Sequence, residues 1–185
     1  MLATGDRFDD VLRAAQVGAP WAFERLYIQL APQVARYVRM RGVSDPDDIT
    51  SEVFLAVFER LADFDGSVAK FRSWLFTIAH RKAVDAHRRL ARRPWVEVAD
   101  AEAPDLPGGN VEDEALEAIA TGRVLALLAG LSEVQRDVLL LRIVADLSVE
   151  QVAGALGKSA GAVKQHQRRA LSRLRELVEQ AGVTL

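Results

Sequence analysis

The chain has 185 residues, 50% of them hydrophobic, a formal net charge of −2 and no cysteine. That length holds one medium domain or two small ones with a real core, and the missing cysteines exclude disulfides, thiolate metal sites and thiol redox switching. The most apolar runs, such as Val124 to Leu131, are far too short to cross a bilayer, and Asp6, Arg7, Asp9 and Asp10 stand where a signal peptide needs an apolar stretch, so a cytoplasmic protein is expected.

In chain order, apolar residues recur at helical spacing and no segment alternates as a strand for more than a few residues, which gives an all-α fold class. Phe8, Leu12 and Ala15 form the apolar face of a short helix ending near Gly18. Phe23, Leu26, Tyr27, Leu30, Val34 and Val38 form a longer one that opens at Pro20 and has a potential kink at Pro32. The stretch "SDPDDITSEVFLAVFERL" predicts a helix over 47–61, with Asp45 as N-cap, Pro46 at the first helical position, acids in the first turn and Ile49, Val53, Val57 and Leu61 facing inward. "FDGSVAK" breaks the pattern, and a helix over 71 to about 90 follows on a spine of Phe71, Leu75, Ile78, Ala79 and Ala83. These four helices make a first small domain, 1–93.

After Ala91 the periodicity disappears, and Pro94, Pro104, Pro107, Gly108 and Gly109 among acids predict a flexible linker over 94–111. Helical patterning returns near Glu112 and opens a second small domain, 112–185. Within it Ser132 with Gln135, and Ser148 with Gln151, have the spacing of capping boxes. A short helix with Val152, Ala155 and Leu156 inward, a turn at Gly157 and a longer basic helix from Ser159 read as a helix-turn-helix.

The small net charge conceals segregation. Ala62 to Arg93 carries eight Lys/Arg against three Asp, Pro94 to Gly122 carries eight acids and no base, and Lys158 to Arg175 carries six bases and no acid. In the last block Val163, Ala170, Leu171, Leu174, Leu177 and Val178 recur at helical spacing and are expected to face the interior. Their outward neighbours are Lys164, Gln165, Arg168, Arg169 and Ser172. Arg and Lys donate to guanine O6 and N7, Gln pairs with adenine, and a basic helix after a glycine turn suits a DNA major groove. In the first basic block Lys70, Arg72, Arg81, Lys82, Arg88 and Arg89 interleave with Phe71, Trp74 and Phe76, the combination of cations and stacking faces that holds a single strand. Phe64 and Phe71, at the loop ends, are the stacking candidates, whereas Trp74 reads as core.

At this point the chain resembles the extracytoplasmic-function (ECF, group IV) sigma factors, small bacterial initiation factors that direct RNA polymerase to particular promoters. "DPDDITSEVFLAVFERLADFD" and "FRSWLFTIAHRKAVDAHRR" are similar to the family's region 2, and "LAGLSEVQRDVLLLRIVADLSVEQVAGALGKSAGAVKQHQRRALSRLREL" to its region 4. The resemblance implies that helix 47–61 docks on the core polymerase through Asp48, Ser51, Glu52 and Leu55. It implies that Phe64 to Arg81 and its neighbour open and read the minus-10 element, with Phe64, Lys70, Phe71, Arg72, His80, Arg81 and Lys82 as candidates. The helix from Ser159 would read the minus-35 element through Lys164, Gln165, Arg168 and Arg169. Core RNA polymerase and promoter DNA are the implied partners, and an anti-sigma factor is one the family admits. Arg81 stands where many members have Asn, and Ser51 where Gln is frequent.

Catalysis finds no support in the residues. His80 and His87 lie two turns apart with Asp85 pointing away from their shared face, a poor metal site, and no phosphate loop, nucleophile elbow or paired-carboxylate arrangement appears. No cofactor and no small-molecule substrate are expected. The rival reading is a polymerase-independent helix-turn-helix regulator, which has no use for the cations and aromatics of the first basic block.

Overall fold

The computed structural model describes residues 5–92 and 121–180, all-α, with no strand among them. α1 (Gly5–Gln16) and α2 (Pro20–Met40) pack side by side, and α2 runs on through Pro32 without ending. α3 (Pro46–Phe58) starts where a side-chain oxygen meets the first free amides: Asp48 N donates to Asp45 Oδ1 at 3.0 Å. It stops earlier than its sequence pattern suggests, because Leu61–Asp63 tighten into a 3-10 turn that still buries Leu61. α4 (Val68–Arg92) begins three residues before its expected start. The reason is Ser67, whose Oγ accepts from Lys70 N at 3.4 Å and so caps a helix that periodicity alone placed at Phe71.

Leu26, Leu30, Val34 and Val38 of α2, Ile49, Val53 and Val57 of α3 and Leu75, Phe76 and Ala79 of α4 are buried together. Each fully buried side chain of that size contributes about 1.5–3 kcal/mol of transfer free energy, so this face of each helix dictates the bundle. The predicted linker 94–111, and the return of helix near Glu112, lie outside the described residues.

The second unit comprises α5, described over 121–129, then α6 (Glu133–Ile143), α7 (Val149–Leu156) and α8 (Ala160–Gln180). Both capping boxes form as their spacing predicts, on Ser132 with Gln135 and on Ser148 with Gln151. α7 ends on Gly157 at φ 63°, the left-handed position where glycine carries no Cβ penalty, and Lys158 N returns to Ala153 O at 2.9 Å. Ser159 then caps α8 by accepting from Ala162 N at 3.2 Å. Between α5 and α6, Gly130 lies against the far end of α8: a Cβ there would stand 2.6 Å from Leu177 Cδ1.

The two units touch, α2 on α6 and α4 on α7. At the first contact Arg41, at the C-cap of α2 and 2% exposed, points Nη2 at Glu133 Oε1 (2.8 Å) and lays Nε 2.6 Å from Asp137 Oδ1. That shorter approach is Coulombic, since neither atom makes an aligned hydrogen bond there. Burial pushes the Asp137 carboxyl up to about 6 against the pull of Arg41, whereas the better-solvated Glu133, bonded to Arg41, is held below the usual carboxylate range.

The two glycines of α7 separate backbone from packing, because a Cβ at either meets nothing within 4 Å. Gly157→Ala is expected to lower stability by about 1 kcal/mol through its left-handed backbone, and Gly154→Ala, inside the helix, to raise it by up to about 1 kcal/mol. Denaturant titration of the two variants reads the opposite signs.

Candidate nucleic-acid interface

On α8 only Val163 and Ala170 are fully buried, and they fix the roll of the helix. Lys164, Gln165, Arg168 and Arg169 are exposed on the side turned away from α6 and α7, and among the described residues no ion pair engages any of these cations. Lys164, Gln167, Arg168, Leu171 and Arg175 line one shallow concavity. Leu171, expected inside, is 39% exposed there and supplies an apolar contact between two rows of cations. Arg173 differs, because Glu176 neutralises it at 2.9 Å. A left-handed turn, a capped helix start and free guanidinium and amide donors on the first turns are the parts a major-groove reader needs.

The first basic block is arranged differently. Lys82 Nζ donates to Glu52 Oε2 at 2.9 Å, Arg89 lies 3.7 Å from the same carboxylate, and Arg72 donates from Nε to Ala145 O at 2.5 Å while lying over the Phe76 ring. Lys70 and Arg81 are exposed. Phe71 requires a correction: it is 1% exposed, wedged among Phe8, Phe64 and Trp74, and belongs to the core rather than to a stacking face. Phe64 is half-buried and stacks on Trp74 at 5.1 Å and 24°, so the aromatic platform is that pair. Trp74 shares a cleft with Arg60, Lys70, Ser73, Thr77 and Arg81. Arg60 was not among the sequence candidates, and Trp74, read there as core, is half-buried and lines the cleft. The spacing 70, 74, 77, 81 does carry the signal, since it repeats every three to four residues along one face of α4.

His80 is not a cation at neutral pH. Burial, then the Arg41 charge, pushes it down to about 4, and its Nδ1 lies 3.1 Å from the Tyr37 hydroxyl. Burial also raises the Tyr37 phenol, which therefore keeps its proton and donates it to Nδ1, leaving the ring proton on Nε2.

On α3, Asp48, Ser51 and Leu55 are exposed, Leu55 by 62%, whereas Glu52 is half-buried under Lys82 and Arg89. Ser51 Oγ donates back to Asp47 O at 3.0 Å and lines a groove with Tyr27, Ile28 and Pro32 of α2. Three of the four expected docking residues thus share an open surface, and the fourth links α3 to α4. Among the described residues no cluster of metal-ligating side chains occurs, and no helix is long and apolar enough to cross a membrane.

Residues 26–93 match Sigma-70 region 2 and residues 127–176 match Sigma-70 region 4. The ECF RNA polymerase sigma factor SigD of Mycobacterium tuberculosis is 35% identical over 98% of this chain and 89% of its own length. This chain belongs to the ECF RNA polymerase sigma factors. The sigma factor ShbA of Streptomyces griseus subsp. griseus is 34% identical over 92% of this chain and 94% of its own. Among solved structures, CnrH in complex with the cytosolic domain of CnrY has a TM-score of 0.70 at 26% identity, covering 92% of this sigma factor and 96% of that chain. RpoE of Bartonella quintana, at 20% identity and a TM-score of 0.63, shares the fold. The protein is a sigma factor that directs transcription initiation with core RNA polymerase on promoter DNA, and the stand-alone regulator is not favoured.

The depressed His80 has a thermodynamic consequence for the sigma factor. Its ordinary value is 6.5, so the unfolded chain takes up a proton before the folded one does, and the contribution present above pH 6.5 is lost as pH falls toward 4. Relative to His80→Gln, the wild type should lose on the order of 2 kcal/mol of unfolding free energy between pH 7 and pH 5, read from denaturant curves at the two pH values.

Proposed function

We propose that this sigma factor works through three surfaces borne by two cytoplasmic domains, 1–93 and 112–185, joined by the linker 94–111, without catalysis of its own. α8 reads the minus-35 element through Lys164, Gln165, Arg168 and Arg169. The face of α4 with Lys70, Trp74 and Arg81, together with Phe64 and Arg60, takes the minus-10 element as a single strand. α3 docks on core polymerase through Asp48, Ser51 and Leu55. His80, Arg72 and Lys82 enter the minus-10 assignment only indirectly, as a neutral hydrogen-bonding group and two cations already engaged within the protein. The family also supports a protein inhibitor of the anti-sigma class as a further partner.

The observation that carries the reading is the presentation of α8: four exposed donors, unpaired among the described residues, on the first turns after a left-handed glycine turn and a doubly capped α7. Aromatic and cationic residues on one face of α4 support the single-strand assignment, because stacking is worth about 1–3 kcal/mol per base and needs no particular base.

Run-off transcription from fragmented DNA of the source genome with purified core polymerase tests the function, and promoter-specific transcripts are expected only when the sigma factor is added. On a defined promoter, Lys164→Ala or Arg168→Ala should relax base preference in the upstream element by roughly 1–3 kcal/mol per lost bidentate contact, whereas Arg175→Ala should weaken all sequences alike. Binding to a library randomised in that element separates the two patterns. Charge reversal at Asp48 with Leu55→Arg should abolish polymerase-dependent strand opening, followed by permanganate footprinting. Duplex binding by α8, measured without polymerase, should be unchanged in the same protein.

A further inference from the structure

Four side chains form a row along α8, and one of them has no hydrogen bond to give. Lys164, Arg168, Leu171 and Arg175 are spaced four, three and four residues apart, which at about 100° per residue keeps them within a sector of about 60° around the helix axis. With Gln167 they line the concavity on the face proposed for the minus-35 element. Among the described residues no ion pair engages the three cations. Leu171 is the one apolar side chain of these five, and at 39% exposed it lies open.

Packing does not account for that leucine. Val163 and Ala170 are buried and set the roll of α8, and Leu174, three residues further on, is the one that packs half-buried against the core. Leu171 is not among the side chains packed there. Electrostatics does not favour it either, because a Lys or Arg at 171 would continue the row and add a phosphate contact, each of which raises affinity for any duplex. The row carries instead a side chain without charge, donor or acceptor. What such a side chain can add on a face turned to DNA is discrimination between bases. The edges exposed in the major groove are amino, carbonyl and ring-nitrogen groups with one apolar exception, the C5 methyl of thymine. A cytosine methylated at C5 carries the same group at the same ring position.

We infer that Leu171 is a specificity-determining residue of α8 that recognises the C5 methyl group of a pyrimidine in the upstream element. Lys164 and Arg168 donate to neighbouring base edges, and Arg175 holds the backbone. The inference rests on the assignment of α8 to the minus-35 element made above. Helix geometry gives the position of the methyl group. Leu171 is about 4.5 Å along the axis from Arg168 and about 10.5 Å from Lys164. With pairs stacked about 3.4 Å apart, the methyl-bearing pair lies one or two pairs from the one Arg168 reads and within about three of the one Lys164 reads. The contact is van der Waals and hydrophobic, so the discrimination expected is about four-fold, which corresponds to burial of one methyl-sized group.

Holoenzyme assembled from core polymerase and the full-length sigma factor tests this on a promoter selected from a library randomised in the upstream element. Each thymine of that element, on either strand, is replaced in turn by deoxyuridine, which pairs identically and lacks only the methyl. One replacement, at the position given above, should weaken wild-type binding about four-fold and leave Leu171→Ala indifferent. Leu171→Met keeps an apolar contact and should keep most of the discrimination. Leu171→Arg should bind all sequences more tightly, steepen the salt dependence by about one unit of slope and lose the methyl effect. Because Leu171 lies outside the core, thermal melts of the three variants should match the wild type.

With a cytosine placed at the sensitive position, 5-methylcytosine should recover about four-fold in binding by the wild type and nothing in Leu171→Ala. A deoxyuridine effect without that recovery restricts the recognised base to thymine and still supports the contact. A selected element with no A·T pair at that position, a flat deoxyuridine scan, or a methyl effect that survives in Leu171→Ala would each overturn the inference. Should the library yield no base preference at all, in the wild type and in Arg168→Ala alike, the assignment of α8 to the minus-35 element fails, and the role of Leu171 with it.

Discussion

A guanidinium and a carboxylate that are both removed from water, Arg41 and Asp137, hold the rest of the arrangement to one geometry. A buried ion pair gives little net stability, because desolvation offsets most of the attraction, but losing one partner leaves the other charge stranded at a cost of about 3–5 kcal/mol. The pair is therefore strict about register. It fixes where α6 meets the end of α2, and through the short connections that follow α6 it fixes where α7 lies along α4. His87 reinforces it from the first unit by bonding the Arg41 carbonyl.

The two surfaces proposed for nucleic acid stand in different states of readiness. On α8 the cations are free, the helix start is capped, and the side chains need only meet a groove. On α4, Arg72 bonds a carbonyl of the second unit, and Lys82 and Arg89 share Glu52. Coulombic attraction for a phosphate chain is correspondingly weaker there than the eight bases of that block suggest. The asymmetry suits a protein whose duplex contact precedes strand opening. It also joins α3 to α4, because the Glu52 carboxylate belongs to the helix proposed to face polymerase while the cations it holds belong to the helix proposed to face DNA.

Local signals made most of the fold legible. Both capping boxes, the Asp45 cap, the Gly157 turn and the inward stripes of α2 and α3 depend on residues within one or two turns, and each forms as the spacing predicts except at Tyr27, which is 41% exposed at the edge of the α2 stripe. Ser67 escapes notice because Gly66, immediately before this weak cap, reads as a break. Phe71 reads as a loop-end aromatic until the start of α4 at Val68 places it in the core, and Leu171 reads as internal although α8 fully buries only Val163 and Ala170. Arg41 was beyond reach: its partners lie 92 and 96 residues along the chain, and nothing near it distinguishes it from an ordinary basic residue at a helix end. Pairings of that separation leave no periodic trace.

The missing side chain at Gly130 bears on how accurately α8 can be aimed. A helix of 21 residues is about 31 Å long, and Ala170, one of its buried contacts, lies near the middle. Leu177 is about 10 Å from that point on one side and Lys164 about 9 Å on the other, so the helix behaves as a lever with nearly equal arms. A Cβ at Gly130 would meet both Leu177 methyls and Leu127 O, at 2.6, 3.4 and 3.4 Å, so the Leu177 side chain would have to shift, and any part of that shift passed to the helix axis would move the other arm as well. Displacement of about one ångström is enough to spoil a bidentate hydrogen bond to a base, so a residue with no side chain, about 20 Å of helix away from the proposed reading end, bears on how that end is aimed.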